Sequence, residues 1–200
     1  MRGIGLGLAF SILIAVPAFG DGMRVPSEAT SVPFRQKSPA ESRSDRLDAL
    51  LARLHQEVSL GEAKSAEQDI WAIWMASDSP TAEILLRQAT RAMNEGAPEP
   101  ALAILNRLTG AYPDFAEAWN KRATLHFIMG NDQASLADID HVLELEPRHF
   151  GALSGRGMIE QRRKNYGAAM RAFNEALAIN PNMPSVKDAV KELEKLERGI

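Results

Sequence analysis

Between Ala82 and Met183 the apolar side chains recur at the three-and-four spacing of one face of a helix, in blocks separated by short polar breaks. Leu85, Ala89 and Ala92 form the first such set, and Ala101, Leu105 and Leu108 the next. The pattern returns as Trp119, Ala123 and His126 followed by Ser135, Ile139 and Val142. It returns again as Leu153, Gly157 and Glu160 followed by Ala169, Phe173 and Ala176. Gly96 and Gly130 sit between the paired blocks, where a left-handed helix cap favours glycine. Pro113, Pro147 and Pro181 close the second block of each pair and stand 34 residues apart. A fixed period of that length means one supersecondary unit copied and stacked. The predicted fold is all-α, an α-solenoid of antiparallel helical hairpins with units at 82–115, 116–149 and 150–183.

The residue types fit that packing. Small side chains at the eighth and twentieth positions of each unit let its two helices approach closely. Large apolar ones at the fourth and twenty-fourth fill the groove between one hairpin and the next. Trp119 is the large anchor of the second unit, and its truncation to Ala is expected to cost about 3–5 kcal/mol if it is buried. Each hairpin leaves an apolar face that only a neighbour can cover, so the ends need caps. Ser185 to Arg198 is predicted to be a capping helix, with Val186, Val190, Leu193 and Leu196 on its apolar stripe. Upstream, residues 44–79 form a degenerate hairpin: Ser44 to Gln56 with Leu47, Leu50, Leu51 and Leu54 and with Ser44 as N-cap, then Glu62 to Ala76. Trp71 and Trp74 share a face there and are expected to pack on the first repeat, with an exposed contact patch as the alternative.

The 82–183 pattern resembles the tetratricopeptide repeat family. The second unit carries the resemblance best, in the block from Ala116 to His126 and in Leu143-Glu-Leu-Glu-Pro147. The run from Pro113 to Gly157 also resembles exported bacterial repeat proteins. Departures are Arg122 in place of leucine at the seventh position, His126 and Glu160 in place of tyrosine at the eleventh, and Ser135 in place of alanine. The resemblance implies a concave wall that binds an extended peptide or a partner helix. The side chains it nominates are Asn120, Thr124, Phe127 and Ile128 in the second unit and Ser154, Met158, Gln161 and Arg162 in the third. Leu86, Thr90, Met93 and Asn94 are their counterparts in the first. Asn120, Thr124, Phe127, Ser154, Met158 and Gln161 are the leading candidates, the polar ones for a peptide backbone and the others for apolar contact. The lysine-and-asparagine pattern with which some members clamp chaperone C-termini is not reproduced, because Leu86/Thr90 and Asn120/Thr124 occupy those places.

Residues 1–20 change the picture at the other end. Arg2 precedes an apolar run from Ile4 to Val16, and Ala18 and Gly20 offer small-residue cleavage sites, as in a secretory signal peptide (1–18 or 1–20). As a helix that run reaches roughly 20 Å, too short for about 30 Å of bilayer hydrocarbon. The mature chain is expected to be exported, periplasmic or secreted, and to have no stable membrane span. Residues 21–43, with Pro26, Pro33 and Pro39 among serines and charges, read as a disordered linker.

Charge and chemistry add mainly exclusions. The net charge is −3, and without the first 20 residues 22 basic side chains face 26 acidic ones. That balance gives no field for nucleic acid. There is no cysteine, which rules out disulfides and thiolate chemistry. Four histidines, His55, His126, His141 and His149, show no zinc-ligand spacing. His126 is expected to be half-buried and satisfied. Asp138, Asp140, His141 and Glu144 are expected on a solvated face, and Arg162-Arg163-Lys164 as a solvated cluster at a turn. Gly151, Gly155 and Gly157 lack the strand and the Lys-Ser/Thr of a phosphate loop. No acid–base pair, catalytic residue, metal site or cofactor is nominated. The reading is a non-catalytic adaptor that binds a protein or peptide partner. A self-assembling structural protein and, last, an enzyme on a helical scaffold are the alternatives.

Overall fold

The computed structural model describes residues 39–56 and 59–198, all within the unit Lys37–Ile200. The expected leader and most of the expected linker lie outside the described residues. Within them the chain is helical throughout: α1 (Pro39–Leu54), α2 (Leu60–Met75), α3 (Pro80–Asn94), α4 (Pro98–Ala111), α5 (Ala116–Ile128), α6 (Asp132–Leu145), α7 (Phe150–Arg162), α8 (Tyr166–Ile179) and α9 (Pro184–Arg198). The pairs α3–α4, α5–α6 and α7–α8 are the three expected units, and α9 packs on α8. α1 begins five residues before Ser44, which therefore lies inside the helix and does not cap it. Proline is tolerated in a first helical turn, so Pro39 opens the helix.

The hairpin turns share one geometry. In the first, Gly96 N–H donates to Met93 O (3.1 Å) and Ala97 N–H to Ala92 O (2.9 Å), which is a Schellman cap. Gly130 and Asn131 repeat it on Phe127 and His126, and Lys164 and Asn165 on Gln161 and Glu160. The cap needs positive φ, which is 72° at Gly96 and 79° at Gly130. The third turn places Lys164 there at 61°, a strained conformation for a side chain with a Cβ.

Inside each hairpin the small-against-large pairing is tuned unit by unit. Ala89 faces the Leu105 unit, Ala123 the Ile139 unit, and all four are buried. In the third unit the large residue is Phe173, and a Cβ on Gly157 would lie 2.4 Å from its ring. A larger ring on one helix therefore requires glycine on the other. Ser135 fits because its hydroxyl donates to Ala123 O at 2.7 Å. Trp119 is only half-buried, its Nε1 donating to Pro113 O (2.8 Å) and its ring 4.1 Å from that of His141. Its truncation cost therefore falls below the fully buried figure.

Arg122, the most polar departure from the family pattern, is built into the core. Its Nε and Nη2 donate to both carboxylate oxygens of Asp138 (2.8 and 2.7 Å), and its Nη1 to Thr109 Oγ1 (2.8 Å) and Asn106 Oδ1 (3.0 Å). This ties α5 to α6 and to α4. Asp138 is thus buried, not solvated as expected, because a guanidinium at the seventh position demands a carboxylate opposite. In α9, Val186 and Leu193 are buried but Leu196 is 52% exposed, so the cap's stripe is covered only in its first three turns.

The N-terminal hairpin does not continue the stack. The segment Ala76–Ser79 is as long as the inter-unit loops Tyr112–Phe115, Glu146–His149 and Asn180–Met183. It has Ser79 where the period would place proline, and both its end residues, Ala76 (ψ 138°) and Ser79 (φ −116°, ψ 111°), are extended. α1 instead crosses the three inter-unit loops. Arg43 borders Ala111–Phe115, Asp48 pairs with Arg148 (2.5 Å), and at the far end His55 Nε2 meets Ala178 O (2.7 Å) while Asn182 Nδ2 donates to Leu54 O (3.0 Å). From Asp48 to His55 a helix rises roughly 10 Å, about the spacing of adjacent packed helices. One helix can therefore touch each unit's edge in turn.

Candidate functional site

The wall formed by α5 and α7 is where the sequence places its binding residues. A cleft of about 370 Å³ opens between the two helices. Ala123, Ser135, Ile139, Ala152 and Ile159 form its floor, which is buried. Thr124, Phe127, Ile128, Ser154 and Met158 stand along it, with Ile128 66% and Met158 47% exposed. These two are among the larger apolar side chains left to solvent. Five of the six leading candidates therefore line one cleft, and Gln161 is not among its lining residues.

Their chemistry is narrower than the sequence implies. Asn120 lines the cleft but is buried, and its amide donates to Glu117 Oε2 at 2.9 Å. Thr124 Oγ1 donates back to Asn120 O (2.9 Å), within its own helix. Phe127 is half-buried under the Arg162 guanidinium, 3.9 Å from the ring centre. Arg162 also pairs with Asp132 and donates to Phe127 O (3.0 Å). The run Arg162-Arg163-Lys164 is exposed at the turn as expected, and Arg162 in addition clamps two units together. Arg156, on α7, pairs with Asp140. In the first unit Leu86 is core and the Thr90 hydroxyl bonds Leu86 O (2.8 Å). What the cleft offers is chiefly apolar surface, with the Ser154 hydroxyl at its side.

The first turn of the wall is already covered. Trp74 stacks on His149 (centroids 4.1 Å apart, planes 14° from parallel), and Trp71 stands edge-on to Phe150 and His149. The two indoles thus pack on the junction of the second and third units, not on the first repeat as expected. Gly151 makes room, since a Cβ there would lie 2.6 Å from the tip of Trp71. Under Trp74, His149 Nε2 lies 3.3 Å from Glu117 Oε2, and both side chains are 0% exposed. Ala152 N–H donates to His149 Nδ1 (3.1 Å), which puts the ring hydrogen on Nε2, facing the carboxylate. Burial alone would raise the Glu117 pKa. The hydrogen bond from His149, the charge of Lys121 and the Asn120 amide outweigh it and hold that pKa below the ordinary carboxylate value.

This acid–base pair was not nominated from the sequence. A signal was there: His149 lies one period after Phe115, which is buried, so a polar ring in that slot needs a partner. The pair is sealed beneath an indole, where no substrate reaches it. His126 is half-buried as expected but not satisfied. Its Nδ1 is buried without a partner, and burial pushes its pKa down. Among the described residues no three His, Asp or Glu side chains group as metal ligands, and no helix is long and apolar enough to cross a membrane.

A family model for the tetratricopeptide repeat matches residues 129–184. A TPR repeat-containing protein of Rhizobium etli is 38% identical over 167 residues, 83% of this chain and 82% of that one. The SGT1 homolog of Bos taurus is 31% identical over 115 residues, 58% of this chain but only 34% of the bovine protein. Among solved structures, the first TPR of Spaghetti (RPAP3) bound to the HSP90 peptide SRMEEVD superposes with a TM-score of 0.58 at 17% identity, covering 60% of this chain and 96% of that one.

Proposed function

The chain belongs to the tetratricopeptide repeat family, and on that premise we propose that it is an exported adaptor capturing a protein partner in the α5–α7 cleft. The observation that carries this reading is the cleft itself: a buried apolar floor with Ile128 and Met158 exposed at its side. Export rests on the leader-like residues 1–20. The peptide in the Spaghetti complex ends in Glu-Glu-Val-Asp, an acidic residue at its C-terminus. Here the first turn of the wall carries the Glu117 carboxylate under Trp74, and Arg156 and Arg162 are already paired. Those features favour a partner presenting an apolar stripe over one presenting a C-terminal carboxylate. No catalytic role is proposed.

The test is crosslinked capture from the native envelope with the mature chain. Ile128→Glu with Met158→Glu is expected to abolish capture while helix content and Tm stay unchanged, because both side chains are already in water. Ala137→Glu, on exposed α6 surface, serves as control. Capture undiminished by the double variant would remove the cleft from consideration.

One observation favours a second reading. Ala118 and Ala152 are buried against the preceding unit, but their first-unit counterpart Ile84 is 47% exposed because nothing stacks there. A second copy could dock on that face. Light scattering across concentration decides it, with Ile84→Lys expected to remove any concentration-dependent mass.

A further inference from the structure

The cores of the first two units contain nothing from α1–α2, whereas the third unit buries Phe150, Leu153 and Ala176 against that hairpin. The clusters around Leu105, around Val142 and around Phe173 contain no residue before Ala82. Only one cluster mixes the two parts: Leu47, Leu50, Leu51, Leu54, Ile70 and Trp74 meet Phe150, Leu153 and Ala176. The first two units and the α8–α9 contact are therefore closed without α1–α2, which is laid on the face of the third unit. Its outer fastenings to the stack are an ion pair near water, Asp48–Arg148, a weak kind of contact, and the hydrogen bonds at Ala178 O and Asn182.

The contact also encloses two side-chain nitrogens that have no protein partner. Trp74 Nε1 is buried without a hydrogen-bond partner, and so is Asn180 Nδ2 in the loop that receives the end of α1. Lifting the hairpin would return the indole N–H to water, which offsets part of the loss of apolar contact. A covering element permanently integral to a core would normally satisfy such groups.

We propose that α1–α2 is the resident occupant of a second binding surface on the stack, a detachable strap. The surface beneath it, His149, Phe150 and Gly151 beside Glu117, is a receptor for a helix bearing two aromatic side chains three residues apart. The occupant defines the partner's chemistry. Trp71 needs the space that Gly151 leaves, Trp74 needs the flat imidazole of His149, and both come from one helical face. A helix suits this surface because it satisfies its own backbone. A partner helix of the same kind gains the site only when the strap lifts, so the strap sets how much of the wall is open. The inference does not depend on the cleft reading. Ile128 and Met158 test the cleft, and neither lies under the strap.

The experiment uses the full mature chain and, as probe, a fluorescent peptide spanning Leu60–Met75. In the unaltered chain the tethered strap outcompetes the peptide, and weak or no saturable binding is expected. In Trp71→Ala/Trp74→Ala the strap loses its anchors while the receptor is intact, and the peptide is expected to bind at least tenfold tighter. Adding Gly151→Leu fills the receptor and is expected to reverse that gain. Equal peptide affinity in the unaltered and double-alanine chains would overturn the proposal, as would indifference to Gly151→Leu. So would loss of helix content in α3–α9 of the double-alanine chain. Amide exchange on the unaltered chain gives an independent check. α1–α2 is expected to exchange at least tenfold faster than α5–α8, and equal protection would mean that the hairpin is a fixed part of the core.

Discussion

Arg122 illustrates how far a single residue could be read. Its departure from leucine was visible in the sequence, but the three partners that make it fit come from α4 and α6 and not from its own helix. Arg122→Leu strands Asp138 as a buried charge and is expected to cost about 3–5 kcal/mol in denaturant unfolding. Arg122→Leu with Asp138→Leu is expected to recover most of that, since a well-packed apolar pair replaces a buried ion pair at little cost. Gly157→Ala is expected to lose about 1–3 kcal/mol by forcing Phe173 off its rotamer. Lys164→Gly is expected to gain about 1 kcal/mol, because glycine adopts the cap without strain. Glu117 carries a pH prediction. Its folded pKa lies below the ordinary 4.5, so its contribution is present above that value and lost as pH falls through the folded one. Urea midpoints measured from pH 7 downward are expected to fall below pH 4.5 more steeply for the unaltered chain than for Glu117→Gln.

At the scale of elements, the three units and the final helix were legible because each hairpin announces its own turn and stop. Gly96, Gly130 and the 34-residue prolines are local signals, and the small-against-large pairing repeats within each unit. The first hairpin was legible only as a hairpin. Leu47 to Leu54 and Trp71/Trp74 state that a face must be covered, but periodicity says nothing about which surface covers it. The information lay in Ser79 standing in the proline slot and in Gly151, whose missing Cβ reads as nothing until an indole is seen against it. Position numbers likewise predicted which candidates share a wall. They could not predict that Asn120 would donate to Glu117, a contact made three residues back along the same helix. α2 also carries a capping box, Ser59 with Glu62. Ser59→Ala is expected to cost about 1 kcal/mol, felt in α2 alone by amide exchange.

Across the whole described structure, order is built in one dimension with one exception. Neighbouring units share interfaces in sequence, as in any stack. The end of α1 and the turn after it reach Ala178 and Asn182, and α2 reaches His149 and Phe150. That long-range hairpin has a mechanical consequence. Tugged apart in an optical trap by handles at Arg43 and Arg198, the molecule peels before it unzips: residues 43–79 come away first, adding on the order of 125 Å of slack, and the remaining pile yields at higher load.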